Sequence, residues 1–316
     1  IVVYAKSVIE GYKCELLRNA GKKPTTFIED VKNLFDKNFH KTLLTLPVIG
    51  VVVTVIMPLL FMILMAFTNF DKTHQPPGKL FTWVGLENFR NLFSSDAKIS
   101  GTFGKILIWT FIWAVFATFT NYIFGMILAI IINKKGIKFK GFWRTMFVLT
   151  IAVPQFVTLM LMQRMFQDVG PVNIILQRLG LISEPIQFLT NGTNARIFVI
   201  LVNMWVGIPY TMLITSGILM NIPEDLYESA KIDGAGPVTA FMKITLPYML
   251  FVTTPYLITQ FVGNINNFNV IYLLTGGGPA TLDYYQAGQT DLLVTWLYKL
   301  TVNEQNYSLG STIGII

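Results

Sequence analysis

The residues in this chain with chemistry to offer are uncharged amides and a phenol set inside long apolar runs. Gln155, Asn203, Tyr210, Gln260, Asn264, Asn266 and Asn267 all stand in stretches dominated by Leu, Ile, Val, Phe and Met. An amide presents donors and an acceptor without net charge, which matches the vicinal hydroxyls of a sugar. A Tyr ring can cover the apolar face of a sugar ring. Asn203 and Tyr210 are seven residues apart, two helical turns, so they share a face, and Gly207 between them leaves space. Asn264 and Asn267 are neighbours on a helix surface. The same amides also serve as bonds between adjacent helices, so sugar contact and interhelical packing both stay open at this point.

Other chemistries find no support. Cys14 is the single cysteine, and His40 and His74 are the only histidines, with no ligand-spaced cluster around either; no metal site is expected. No Gly-Lys-Ser or Gly-Lys-Thr occurs, so the chain lacks a Walker A phosphate loop. Thr275-Gly276-Gly277-Gly278-Pro279 is glycine-rich but is not followed by a lysine, and it reads as a turn. No paired acid, His or Cys nucleophile lies within the apolar runs, which removes the basis for an intramembrane enzyme. The chain is expected to be no enzyme and to hold no cofactor of its own.

The elements that position these residues are membrane spans. Hydrophobic residues make up 53% of the chain and charged residues 13%, against about one-quarter charged in soluble domains. An all-α integral membrane protein follows. Residues 43–67, 106–132, 146–163, 197–219 and 248–274 read as spans, the last long and interrupted, and a sixth begins near Leu309. None of the five contains Asp, Glu, Lys or Arg. Ion-coupled carriers place an ionisable group at mid-membrane, so this pattern argues against secondary transport and against a strongly charged substrate.

Orientation comes from charge. Lys134, Lys135, Lys138, Lys140 and Arg144 follow the second span with no acid among them, which marks that loop as cytoplasmic. Alternation then puts residues 221–247 inside the cell, and residues 69–105, 164–196 and 275–307 outside. Residues 1–42 read as an N-terminal cytoplasmic segment following a helix cut short, and residues 43–316 as the permeation domain. The net charge of +7 comes from basic residues beside spans, so it is a topology signal and not a nucleic-acid face.

One cytoplasmic stretch stands apart. Pro223 suits a helix start, and Glu224 and Asp225 suit its positive end. Asp233-Gly234-Ala235-Gly236-Pro237 stops that helix, and Pro237 can begin another. The stretch holds Glu224, Asp225, Glu228 and Asp233 against only Lys231 and Lys243. A loop resting on anionic lipid should be basic; an acidic one points to a protein partner or to a solvated face.

Glu228, Ala230, Gly234, Ile244, Leu246 and Pro247 stand at the spacing of the EAA signature of ABC importer permeases, with Ser229 in place of the first Ala. The neighbouring Asp225-Leu226-Tyr227-Glu228 and Lys243-Ile244-Thr245-Leu246-Pro247 resemble the maltose-type, MalF-like sugar permeases over about residues 43–316. The resemblance implies a type I ABC importer transmembrane domain of about six core helices, with its terminal helices truncated, in a bacterial cell membrane. It implies a coupling helix carrying Glu224, Asp225, Glu228, Ala230, Asp233 and Gly234. It also implies a second homologous permease, two ATPase subunits that bind ATP and Mg, an external sugar-binding protein, and an oligosaccharide of maltodextrin type as cargo.

Asn203, Val206, Gly207, Tyr210, Asn264 and Asn267 carry over as contact positions, and Gln155 stands where the family has Ser. Ile151 and Gly263 replace a Tyr and a Phe, so two stacking rings are lost and maltose itself is less secure as cargo. Trp83-Val84-Gly85-Leu86-Glu87-Asn88-Phe89 resembles an external family segment, and the large extra domain that some members carry in this region is missing. Asn191-Gly192-Thr193 has the pattern of a glycosylation acceptor but reads as loop chemistry, since the family is prokaryotic. The rival reading is an ATP-independent sugar channel or facilitator, which needs a continuous polar stripe and no signature loop. Topology alone leaves the direction of transport open.

Overall fold

The computed structural model describes residues 2–21, 23, 25–94, 98–134 and 136–316. Lys135 of the basic loop, and Ile1, Lys22 and Pro24 of the N-terminal segment, lie outside the described residues. The chain divides into two compact units, Ile1–Met62 and Ile63–Ile316.

The first unit begins with α1 (Val2–Asn19) and α2 (Phe27–Phe35). Thr26 and Glu29 form a capping box at the start of α2: the Glu29 N–H donates to Thr26 Oγ1 at 3.4 Å, and the Thr26 N–H donates to Glu29 Oε2 at 2.8 Å. Next comes the apolar helix α3 (Phe39–Met65), 27 residues long. At about 1.5 Å per residue it exceeds the roughly 30 Å hydrocarbon core. Its turn at Val52–Ile56 is a wider π turn. Pro58 cannot donate to the carbonyl four residues back and would clash with it, and the wide turn just before it absorbs that misfit.

In the second unit the chain leaves α3 through a connection of about twenty residues before the next helix. Thr68 bridges Trp83, and Asn88 Nδ2 donates to the Ala66 and Thr68 carbonyls at 2.8 Å each. Phe67 stacks on Trp83 with ring centres 5.7 Å apart. The segment around Trp83–Asn88 therefore clamps the C-terminal end of α3, running into α4 (Glu87–Phe93).

The core of the unit is α5 (Lys98–Asn133) against α9 (Gly192–Leu219). Lipid gives no hydrophobic drive between helices, so close backbone approach at small residues has to supply the packing. Ala114, Ala117, Thr118, Gly125 and Ala129 of α5 are buried. A Cβ on Gly125 would lie 2.7 Å from Thr211 Cβ of α9. Between these helices in chain order come α6 (Lys140–Ala152), α7 (Gln155–Met165) and the short α8 (Pro171–Arg178).

The expected third span is thus two helices, bent by 86° at Val153-Pro154. Pro154 cannot extend α6, and the residue before a proline is pushed to extended backbone; Val153 sits at φ −75°, ψ 125°.

After α9 come α10 (Glu224–Ile232) and the long α11 (Pro237–Ile265). The fifth span is interrupted as expected, breaking after Ile265 and restarting as α12 (Phe268–Thr275). Asn267 caps α12, with its Oδ1 accepting from the Val270 N–H at 3.2 Å, so Asn264 and Asn267 lie on either side of a break and not on one helix face. Two short helices complete the order, α13 (Leu293–Tyr298) and α14 (Tyr307–Ile315). The segment from α12 to α13 is knit by Asp291, which is fully buried; its carboxylate accepts from the Gly288 N–H at 2.7 Å, Thr295 Oγ1 at 2.8 Å and Lys299 Nζ at 2.6 Å. Trp109, Trp113, Leu159, Phe198, Val202, Ile271 and Leu274 form one apolar core joining α5, α7, α9 and α12.

The basic loop after α5 also bonds to the helices around it. Arg144 Nη2 donates to Asn133 Oδ1 at 3.0 Å and to Ser216 Oγ at 3.2 Å, and Lys140 Nζ donates to the Asn133 carbonyl at 3.0 Å. Two cations thus sit at the negative C-terminal end of α5 and tie it to α6 and α9. The tight α5–α9 contact gives the first prediction. Gly125→Leu drives a side chain into Thr211, so the yield of folded protein in mild detergent, measured by size-exclusion chromatography, should collapse. A normal monodisperse peak would remove Gly125 from the packing seam.

Candidate functional site

The bend at Pro154 opens a cavity of about 340 Å³. Thr150, Ile151, Val153, Pro154, Gln155 and Thr158 line it from the two arms of the bend, and Trp205, Val206 and Tyr210 line it from α9. No lining residue is charged. Trp205 and Tyr210 are well exposed, at 60% and 48%, which leaves two aromatic faces and the Gln155 amide open to a ligand. Apolar walls with a few convergent polar groups are the usual make-up of a small-molecule site.

Of the expected contact residues, Gln155, Val206 and Tyr210 meet in this cavity. The others sit in the seam between α5, α9 and α11. Asn203 is buried on α9, and Gly207, one turn on, packs directly against the Asn121 side chain of α5. Asn264 is buried on α11, with its Nδ2 donating to Thr118 Oγ1 at 3.0 Å, while its carbonyl accepts from Trp113 Nε1 at 3.0 Å. Asn267 Nδ2 donates to Asn264 Oδ1 at 3.3 Å. Tyr122 OH lies 2.7 Å from Thr253 Oγ1, and Tyr256 OH lies 3.1 Å from Thr211 Oγ1. The seam is therefore a ladder of uncharged polar pairs. Asn203 Nδ2 and Asn121 Oδ1 are buried in it without a hydrogen-bond partner among the described residues.

Trp205, Thr150 and Thr158 were missed by sequence reasoning. The face shared by Asn203 and Tyr210 drew attention to the seven-residue step. Trp205, adjacent to the contact position Val206, pointed to the same surface and could have been found from that.

The second site is the turn between α10 and α11. Pro223 precedes α10, and Glu224 and Asp225 occupy its first turn. Its end is a Schellman-like closure: the Gly234 N–H donates to the Lys231 carbonyl at 3.1 Å and the Ala235 N–H to the Ala230 carbonyl at 2.8 Å. Gly234 has φ +77°, the left-handed region where a side chain is strained. Gly236 is extended and Pro237 opens α11 at its first position. Tyr227 OH lies 2.8 Å from Thr245 Oγ1, which ties α10 to the base of the fifth span. The turn shows water both acids and apolar knobs: Asp225, Glu228 and Asp233 are exposed, with Ile232 at 86% and Val238 at 76%.

Comparison with known proteins places this geometry in a family. Residues 121–316 match the model of the binding-protein-dependent transport system inner membrane component. The galactooligosaccharides transport system permease protein GanP of Bacillus subtilis is 38% identical over the whole of this chain and 75% of its own length. The maltodextrin transport system permease protein MalC of Streptococcus pneumoniae is 37% identical over 95% of this chain and 70% of its own length. Among solved structures, a bacterial ABC transporter involved in import of the acidic polysaccharide alginate matches with a TM-score of 0.70 at 22% identity, covering 91% of this chain and 92% of that one. A family match over more than half of the chain, two relatives above one-third identity and a shared fold agree: the chain belongs to the binding-protein-dependent transport system inner membrane components, the membrane-spanning permeases of ABC importers.

Proposed function

We propose that this chain is the permease subunit of an ATP-driven importer of neutral oligosaccharides, of maltodextrin or related type. The observation that carries the substrate class is the cavity at the Pro154 bend: two exposed aromatic faces, an amide and two Thr residues, with no charged group. A neutral glycan needs stacking surfaces and uncharged hydrogen-bond partners, whereas an acidic one needs cations. The relatives named for galactooligosaccharides and maltodextrin support the same class.

In this reading Gln155, Val206 and Tyr210, joined by Trp205, contact the sugar directly. Asn203, Gly207, Asn264 and Asn267 line the adjoining seam. When the helices part, their amides exchange the partners they now hold for sugar hydroxyls, and Asn203 Nδ2, which has no hydrogen-bond partner among the described residues, has none to give up. ATP binding and hydrolysis, with Mg, belong to two partner ATPases. Glu224, Asp225, Glu228, Ala230, Asp233 and Gly234 form the docking turn, and the exposed Ile232 and Val238 supply the apolar contact that a protein cleft would cover. Closure of the ATPases moves α10, and the Tyr227–Thr245 contact carries that motion into α11, a rigid-body switch between inward- and outward-open states. A second homologous permease and an external sugar-binding protein complete the assembly.

Two outcomes are expected of the complex reconstituted in proteoliposomes. Trp205→Ala or Tyr210→Ala should lower the apparent affinity for maltooligosaccharide uptake by an amount corresponding to about 0.5–1.5 kcal/mol for each lost stacking surface, with thermal stability in sugar-free buffer unchanged. Unaltered uptake in both variants would remove sugar from this cavity. Gly234→Val forces a β-branched residue into the left-handed region, at a cost of about 1–2 kcal/mol. The complex should assemble in the membrane yet lose most transport and sugar-stimulated ATPase activity; full transport would sink the coupling role.

A further inference from the structure

We propose that α2 is an interfacial helix, lying at the headgroup–acyl boundary of the cytoplasmic leaflet with one face in lipid. The inference rests on the membrane placement of the chain and not on the sugar reading. Phe27, Ile28, Val31, Leu34 and Phe35 are the apolar residues of α2, and none is buried. At roughly 3.6 residues per turn they fall within about 120° of arc, with no polar residue inside it. Glu29, Asp30, Lys32 and Asn33 take the rest of the circumference. Phe27, Ile28 and Phe35 are 82%, 67% and 71% exposed, so the packing within the chain leaves this stripe uncovered.

What covers it follows from where α2 is held. Only residues 36–38 separate it from α3, the first span. That short elbow is bonded through: the Asn38 N–H donates to the Asn33 carbonyl at 2.7 Å, and Thr42 Oγ1, in the first turn of α3, donates to the Leu34 carbonyl at 2.8 Å. The last turn of α2 is thus fixed to the point where the chain enters the bilayer on its cytoplasmic side. Lys37 lies in the elbow beside Asp36, and Lys41 stands in the first turn of α3, two cations suited to the anionic surface of that leaflet. A separated polar and apolar face on a helix held at headgroup depth is the signature of an in-plane membrane helix. The capping box at Thr26 and Glu29 keeps so short a helix wound before it meets lipid.

The test uses the assembled importer in nanodiscs, in a background where Cys14→Ser and replacement of any other cysteine in the assembly leave none to compete for the label. Val31→Cys and Phe35→Cys, and separately Glu29→Cys and Asn33→Cys, carry an environment-sensitive fluorophore. Labels at 31 and 35 should be quenched several-fold more by phospholipid brominated on its acyl chains than labels at 29 and 33, with the order reversed for aqueous iodide. Equal iodide quenching on both faces would mean a helix free in water. Shielding of 31 and 35 from both quenchers would mean a protein partner, and either result overturns the proposal. Hydroxyl-radical footprinting of the unsubstituted complex in nanodiscs gives an independent reading. Phe27 and Phe35 should be protected, and oxidation at the rate of water-exposed phenylalanine would contradict the lipid contact.

Discussion

Pro154 has no N–H to give to the Thr150 carbonyl, and it sits in the middle of a stretch apolar enough to cross the membrane. Inside a bilayer a backbone group without a partner is costly, so a broken helix persists there only where the break is enclosed by protein or lines a polar space. The chain takes the second course. The arms of the third span diverge by 86°, and α9 brings Trp205, Val206 and Tyr210 into the angle. The cavity exists because the helix could not continue, and its uncharged lining follows from spans with no Asp, Glu, Lys or Arg around it.

The seam beside the cavity obeys the same constraint in another way. Between α5, α9 and α11 the polar side chains pair with one another: Tyr122 with Thr253, Thr211 with Tyr256, and Asn264 with Thr118. Such neutral pairs are worth little each in lipid, on the order of 0.6 kcal/mol. They can therefore exchange partners more readily than a buried ion pair. A permease has to hold its helices together while letting them part, and weak, matched hydrogen bonds suit both needs. The small residues of α5 against α9 form the tighter part of the same contact, with Gly125 under Thr211.

Much of this was legible in the sequence because the signals were local. The apolar runs marked the long helices, and Pro223, Gly234 and Pro237 marked the helix–turn–helix at 223–237 almost residue for residue. Each depends on chain chemistry within a few positions. The 86° bend was not legible, because a proline in an apolar helix can either kink it slightly or end it, and neighbouring helices decide which. The division of the expected contact residues between cavity and seam was also hidden. Asn203 and Tyr210 share a helical face, yet Asn203 is buried one turn from the Gly207–Asn121 contact while Tyr210 lines the bend. Asn264 and Asn267 looked like neighbours on one surface until Asn267 proved to be the cap of a new helix.

The Tyr227–Thr245 contact joins α10 to α11, and α11 packs in the seam beside the cavity. The central claim is that sugar occupies the angle made by Pro154 and α9. The most direct measurement is an electron cryo-microscopy structure of the assembled importer, trapped with a non-hydrolysable ATP analogue in the presence of maltotriose. The account predicts sugar density against Trp205 and Tyr210, within hydrogen-bonding reach of Gln155. Well-ordered sugar elsewhere in the membrane region, with the Pro154 angle empty or filled by lipid, would contradict it.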